Sequence, residues 1–219
     1  MRKTSYAITF LLVAANLALN IVAVRRPDWL VDDGTEILYT RTTVRYGLTQ
    51  RCERQIIKVP GPSDGSEIIY YSDYTCRAFP MTSTDRCERG NRYLCTAWTS
   101  AGYVAELGIG FGAMALFAIL IGVSTHSRRR RIWRAVAGLV ACQALFPMIT
   151  FAVVTDLYRT SRYVGFEYAH FSTGYYANAA AWVASVFVMF GVIWTGIAAD
   201  KGHKWAAGNR AYRRIEDRP

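Results

Sequence analysis

Charge is almost missing from four long stretches of this 219-residue chain: residues 6–24, 101–123, 135–154 and 176–199 contain a single charged side chain, Glu106. Histidine is scarce too, with three in all, His126, His170 and His203, each in a different polar segment. That scatter leaves no H-E-x-x-H pattern and no Ser-His-Asp set, and no Gly-rich phosphate loop is present either. A non-enzymatic protein without a cofactor is therefore expected. The chain has no C-x-x-C pair, which weighs against a zinc site, and no N-x-S/T sequon.

What the chain does have is apolar length. Each run is about 20 residues, enough at about 1.5 Å per residue to cross the roughly 30 Å hydrocarbon core. Membrane spans are expected over residues 6–24, 101–123, 133–155 and 176–199, separated by segments 25–100, 124–132 and 156–175 and followed by a tail, 200–219. The first run follows Arg2 and Lys3 and ends in small residues, as a signal peptide would. It exceeds the roughly 7–15 residues of a signal core, so an uncleaved anchor is expected.

The distribution of charge predicts orientation. The net charge of +10 resides in the N-terminal flank, in "HSRRRRIWR" and in the tail, whereas segment 25–100 has eleven bases against ten acids and segment 156–175 has two of each. Positive flanks stay in the cytoplasm. Both termini and loop 124–132 are thus expected inside, and the two balanced loops outside, at the plasma membrane. The bases adjoin spans and form no stripe with interleaved aromatics, which argues against nucleic acid. Arg128, Arg129, Arg130 and Arg131 are expected to act as a topology signal facing the anionic inner leaflet.

Four of five cysteines, Cys52, Cys76, Cys87 and Cys95, lie in segment 25–100. On an oxidising side an even number argues for two disulfides, for which three pairings exist. Cys142 is mid-span and reads as a packing residue. "TEILYTRTTVRYGL" and "EIIYYSDYTCRAF", parted by "PGPSDGS", are rich in β-branched and aromatic residues, so a small antiparallel sheet of two to four strands is predicted. From Thr84 onward the strand character fades into a short helix or turn leading to the second span.

The order "RPDW" after the first span (Pro27, Trp29), then "YGL" (Gly47, Leu48), Cys52 and Cys76, resembles the claudin and peripheral-myelin-protein superfamily, and "CRAFP…RYLCTAWTSAGY" is similar to fungal claudin-like tetraspan proteins. The resemblance implies a left-handed four-helix transmembrane bundle bearing a disulfide-stapled antiparallel sheet in the first extracellular loop. It implies a Cys52–Cys76 bond between adjacent strands, with Trp29, Gly47 and Leu48 packing the sheet, and leaves Cys87 with Cys95. Thr49 stands where the superfamily has a second Trp, the Cys52 to Cys76 gap is longer, and the "IEDRP" ending departs from the scaffold-binding motif of claudins.

Small residues four apart (Ala14 and Ala18, Gly108 and Gly112, Ala181 and Ser185) suit close helix packing. Pro147 should bend the third span. Glu106 is the candidate intramembrane polar site, and Asn16, Asn20, Gln143 and Asn178 are candidates for interhelical hydrogen bonds. The second outer loop concentrates aromatics. Tyr163, Phe166, Tyr168 and Phe171 are read either as an interfacial belt or as contacts to other molecules. The expected role is that of an organiser of membrane neighbours, contacting other membrane proteins or its own copies. The alternatives are an auxiliary subunit of a channel, transporter or synthase, and a pore or barrier.

Overall fold

The computed structural model describes residues 3–34, 40–60, 67–88, 90–123, 126–160, 163–203 and 206. Four long helices dominate: α1 (Lys3–Arg25), α2 (Arg92–Val123), α3 (His126–Arg159) and α4 (Thr173–Asp200). Only 22–39 % of each helix's most apolar window is buried. Phe117, Phe187 and Trp194 are 66 %, 72 % and 73 % exposed. Helices apolar all round and mostly uncovered are stable only where the solvent is itself apolar, so the chain is an integral, multi-pass membrane protein.

Two helices overrun the expected spans. α2 begins nine residues early, at Arg92, and α3 begins at His126, so most of the expected loop 124–132 is helix. Hydropathy marks the edge of the hydrocarbon, whereas backbone hydrogen bonding continues past it wherever residues such as Arg tolerate the helix. The side chains of Arg128, Arg129, Arg130 and Arg131 lie outside the described residues, as does most of the tail.

The chain forms two compact units. In the first (Met1–Asn20, Leu107–Pro147, Ala180–Pro219), Val13, Ile119, Val136, Val140 and Val192 pack with Tyr6 and Trp133. Gly112 is small because a Cβ there would lie 2.9 Å from the Gln143 amide and 3.0 Å from Leu17. Ala181 and Ser185 are fully buried, and the Asn16 amide donates to the Ser185 hydroxyl. Ala18 is exposed. The α1 face that packs carries Val13, Asn16 and Asn20, so the Ala14/Ala18 pair is not its contact.

The second unit (Ile21–Glu106, Met148–Ala179) holds a six-stranded antiparallel sheet. Its strands are β1 (Leu30–Asp33), β2 (Thr40–Tyr46), β3 (Gln50–Pro60), β4 (Glu67–Tyr71), β5 (Thr75–Ala78) and β6 (Ala169–Phe171). The order is β4-β3-β2-β1-β6. The long β3 takes two partners on one side, with residues 50–53 facing β5 and 56–60 facing β4. Two strands exceed the expected maximum of four. One of them, β6, comes from the segment before α4 and pairs with β1 (Leu30↔Phe171).

Candidate interaction surface

The β2–β3 register sets Arg45 opposite Cys52, and the β3–β5 register sets Cys52 opposite Cys76. Directly opposed residues are near enough for a disulfide, and Cys52–Cys76 is formed. Cys87 bonds Cys95 in the first turn of α2. With both pairs bonded, none of these sulfurs is available as a thiolate.

The residues around the staple are buried for identifiable reasons. Gly47 closes the β2–β3 turn, its N–H donating to the Gln50 carbonyl at 2.8 Å. A Cβ at Gly47 would stand 2.9 Å from both the Arg26 carbonyl oxygen and Pro27 Cα. Leu48 is buried beside it. The Trp98 indole N–H donates to the Gly47 carbonyl at 3.2 Å. Trp29, completely buried, donates its indole N–H to the Ala23 carbonyl at 2.7 Å, satisfying one of the last α1 acceptors. Its ring meets the edge of Tyr175, and Gly174 leaves room for it: a Cβ there would come within 2.6 Å of Trp29 Cδ1.

A second device joins the sheet to the turn before α2. Arg51 and Arg77 are directly opposed across β3 and β5, a like-charge pairing that is unfavourable alone. Asp85 resolves it. Its carboxylate accepts two hydrogen bonds from Arg77, at 2.8 and 2.7 Å, and lies 3.7 Å from Arg51. It also accepts from the Met81 N–H at 2.7 Å and from the Tyr163 hydroxyl at 3.2 Å. Burial acts to raise the Asp85 pKa, but the hydrogen bonds from Arg77 and Met81 outweigh it and hold the carboxyl below its ordinary value. Burial, reinforced by Asp85, pushes the Tyr163 phenol up. Around this hub Tyr46, Phe79, Trp98, Tyr163 and Phe166 form an aromatic box, with Tyr46–Phe166 centroids 5.1 Å apart and Phe79–Trp98 5.5 Å apart.

The candidates from the second loop therefore divide. Tyr163 and Phe166 are core residues, buried because they complete the box, and they offer nothing to another molecule. Phe171 is half-buried and stacks on Tyr175 at 4.0 Å. Tyr168 alone of the four is exposed, at 65 %. Glu106 is exposed on α2, with no described residue paired to it. The buried polar side chains within the helices are instead Asn16, Asn20, Gln143, Thr150, Asn178 and Ser185.

Two surfaces stand out that the sequence did not nominate. The end of β3 and β4 form a hairpin whose large apolar side chains are open: Ile57, Val59, Ile68 and Ile69 are 40–43 % exposed, and Tyr70 and Tyr71 are 58 % and 62 % exposed. β4 is also an edge of the sheet. On the sheet face carrying Arg41, Thr43 and Arg45 of β2 and Arg54 of β3, a polar cleft of about 440 Å³ opens. The alternation Arg-x-Thr-x-Arg was its one legible sign, since period two places those side chains on one face. Compared with models of known families and with curated proteins, the chain matches none. What fold and exposed surface define is the class: a four-helix integral membrane protein with a disulfide-bonded sheet, five of whose six strands lie between its first two helices.

Proposed function

We propose that the protein is a claudin-like tetraspan of the plasma membrane. In this reading its sheet faces outward, both termini are cytoplasmic, and it organises neighbouring membrane proteins without chemistry of its own. Support for the kinship comes from the Cys52–Cys76 bond across adjacent strands and from the burial of Trp29, Gly47 and Leu48 beside it. Support for the orientation comes from the confinement of the net positive charge to the termini and the first turns of α3.

The observation that carries the contact role is the β3–β4 hairpin. An edge strand bearing uncovered Ile and Tyr is a liability in a protein with no partner, and such patches mark interaction sites. Photo-crosslinkers at Ile68 and Tyr70 in living cells, with Tyr103 on α2 as reference, test this. Neighbouring membrane proteins or copies of the chain captured at the hairpin support the organiser. A single stoichiometric hetero-partner would replace it with the auxiliary-subunit reading, and capture no stronger than at Tyr103 would contradict both.

A further inference from the structure

We propose that the arginine-lined cleft on the sheet is a binding site for a phosphate group, carried either by a lipid headgroup or by a soluble phosphate ester. The cleft of about 440 Å³ is lined by Arg26, Arg41, Arg45, Arg54 and His170, with only two carboxylates, Asp28 and Asp33. Both acids are already engaged. Asp28 accepts two hydrogen bonds from Arg26, each 3.0 Å, and one from the Thr173 hydroxyl at 2.9 Å. Arg41 binds the Asp33 carbonyl at 3.1 and 3.2 Å and stands 3.9 Å from its carboxylate.

Arg45 and Arg54 have no such partner among the described residues. Both lie over the Tyr74 ring, at 4.5 and 4.8 Å, and Arg54 also over Tyr71 at 5.2 Å. The rings hold the guanidinium planes in place without satisfying their donors. The Nε–H groups of both are buried and donate to no acceptor among the described residues. Pre-positioned guanidinium forks of this kind match the tetrahedral oxygens of phosphate through paired charge-assisted hydrogen bonds. Thr43, opposite Arg54 and between Arg41 and Arg45 along β2, adds to the same face a hydroxyl whose one described bond is a long 3.5 Å donation to the Asp33 carboxylate. The volume lies within the roughly 300–1,000 Å³ of small-ligand sites.

The cleft also includes Arg26, which follows the last residue of α1, and Ser172 and Thr173, where α4 starts. Those positions are where membrane helices leave the hydrocarbon, the depth of lipid phosphates. A headgroup is thus within reach, while a soluble phosphate ester shares the same chemistry.

The test uses the full chain. Titration of inorganic phosphate into protein in neutral maltoside detergent, at near-physiological chloride, should show saturable binding. Arg45→Gln with Arg54→Gln should weaken it at least tenfold, whereas Arg92→Gln with Lys201→Gln, removing the same charge elsewhere, should leave it within twofold. Arg45→Lys with Arg54→Lys keeps the charge and loses the forks, and should fall between. It carries the test if the Gln pair does not recover both disulfides. Nanodiscs of phosphatidylcholine with or without phosphatidic acid separate the sources: phosphatidic acid retained through purification and lost in the variants assigns a lipid, and phosphate binding indifferent to it assigns a soluble ester. No saturable binding in either arm, or binding equal in wild type and Lys pair, overturns the proposal.

Discussion

Replacing Asp85 by alanine removes the one carboxylate that reconciles Arg51 and Arg77 across the β3–β5 pair, and its cost follows from who is left uncompensated. Arg51 keeps Glu53 at 2.7 Å, so its charge remains paired. Arg77 loses both of its hydrogen bonds to Asp85, and the Met81 N–H and Tyr163 hydroxyl each lose an acceptor. Breaking a buried ion pair costs about 3–5 kcal/mol. The Arg77 side chain is 28 % exposed and can turn partly toward solvent, which places the expected loss near the lower figure, about 3 kcal/mol. For a unit of this size that corresponds to a fall of roughly 10 °C or more in the midpoint. Thermal unfolding of the purified protein in detergent, followed by tryptophan fluorescence, reads it directly because Trp98 sits in the adjoining aromatic box. Asp85→Asn, which can still accept but carries no charge, should lose less. A midpoint for Asp85→Ala within a degree or two of wild type would refute the hub as a source of stability.

Three further outcomes are expected. The Asp85 carboxyl is held below its unfolded value of about 3.9, so the stability it contributes is complete above about pH 4 and drains away as pH falls through the folded value. Melting curves from neutral pH down to pH 2 should show an acid limb that Asp85→Ala flattens, and an unchanged limb would contradict the assignment. Gly47→Ala forces a methyl against backbone atoms that cannot yield and should cost about 1–3 kcal/mol, measured by denaturant or heat; a neutral result would mean the turn is looser than described. Trp29→Ala should cost about 3–5 kcal/mol, whereas Trp29→Phe, which keeps most of the ring and loses the bond to the Ala23 carbonyl, should cost about 1 kcal/mol. Equal losses in the two would show that the hydrogen bond, not the packing, dominates.

The parts of this architecture that were legible in the sequence are those with long-range uniform signals. Four apolar runs declare four helices because the membrane core imposes one length and one polarity on all of them. β2 declares itself by seven residues of strand-like composition, and the start of β4 by the Pro- and Gly-rich sequence that precedes it. β1 and β6, at four and three residues, are too short for a period-two pattern to be counted, and their pairing joins segments more than a hundred positions apart. Tyr163 and Phe166 illustrate the same limit. Composition places aromatics in a loop beside a membrane, but only the fold reveals that Tyr46, Phe79 and Trp98 are waiting for them. Asp85 sits among turn residues in "TSTDRC", and nothing local indicates that it faces two arginines from different strands. The phosphate-binding cleft was half legible: the alternation of Arg41, Thr43 and Arg45 was visible, but not the stacking of Arg45 and Arg54 on Tyr74.

The central claim is that the disulfide-bonded sheet lies on the exoplasmic side of the membrane and the C-terminal tail on the cytoplasmic side. The chain has no sequon of its own, so each side can be marked by one substitution in a eukaryotic expression host. Asp64→Asn, followed by Gly65 and Ser66, creates a sequon in the β3–β4 connection, and Ala211→Thr completes one at Asn209 in the tail. The account predicts an endoglycosidase-sensitive glycan on the first variant and none on the second. A glycan on the tail variant, with the Asp64→Asn variant unmodified, would contradict it.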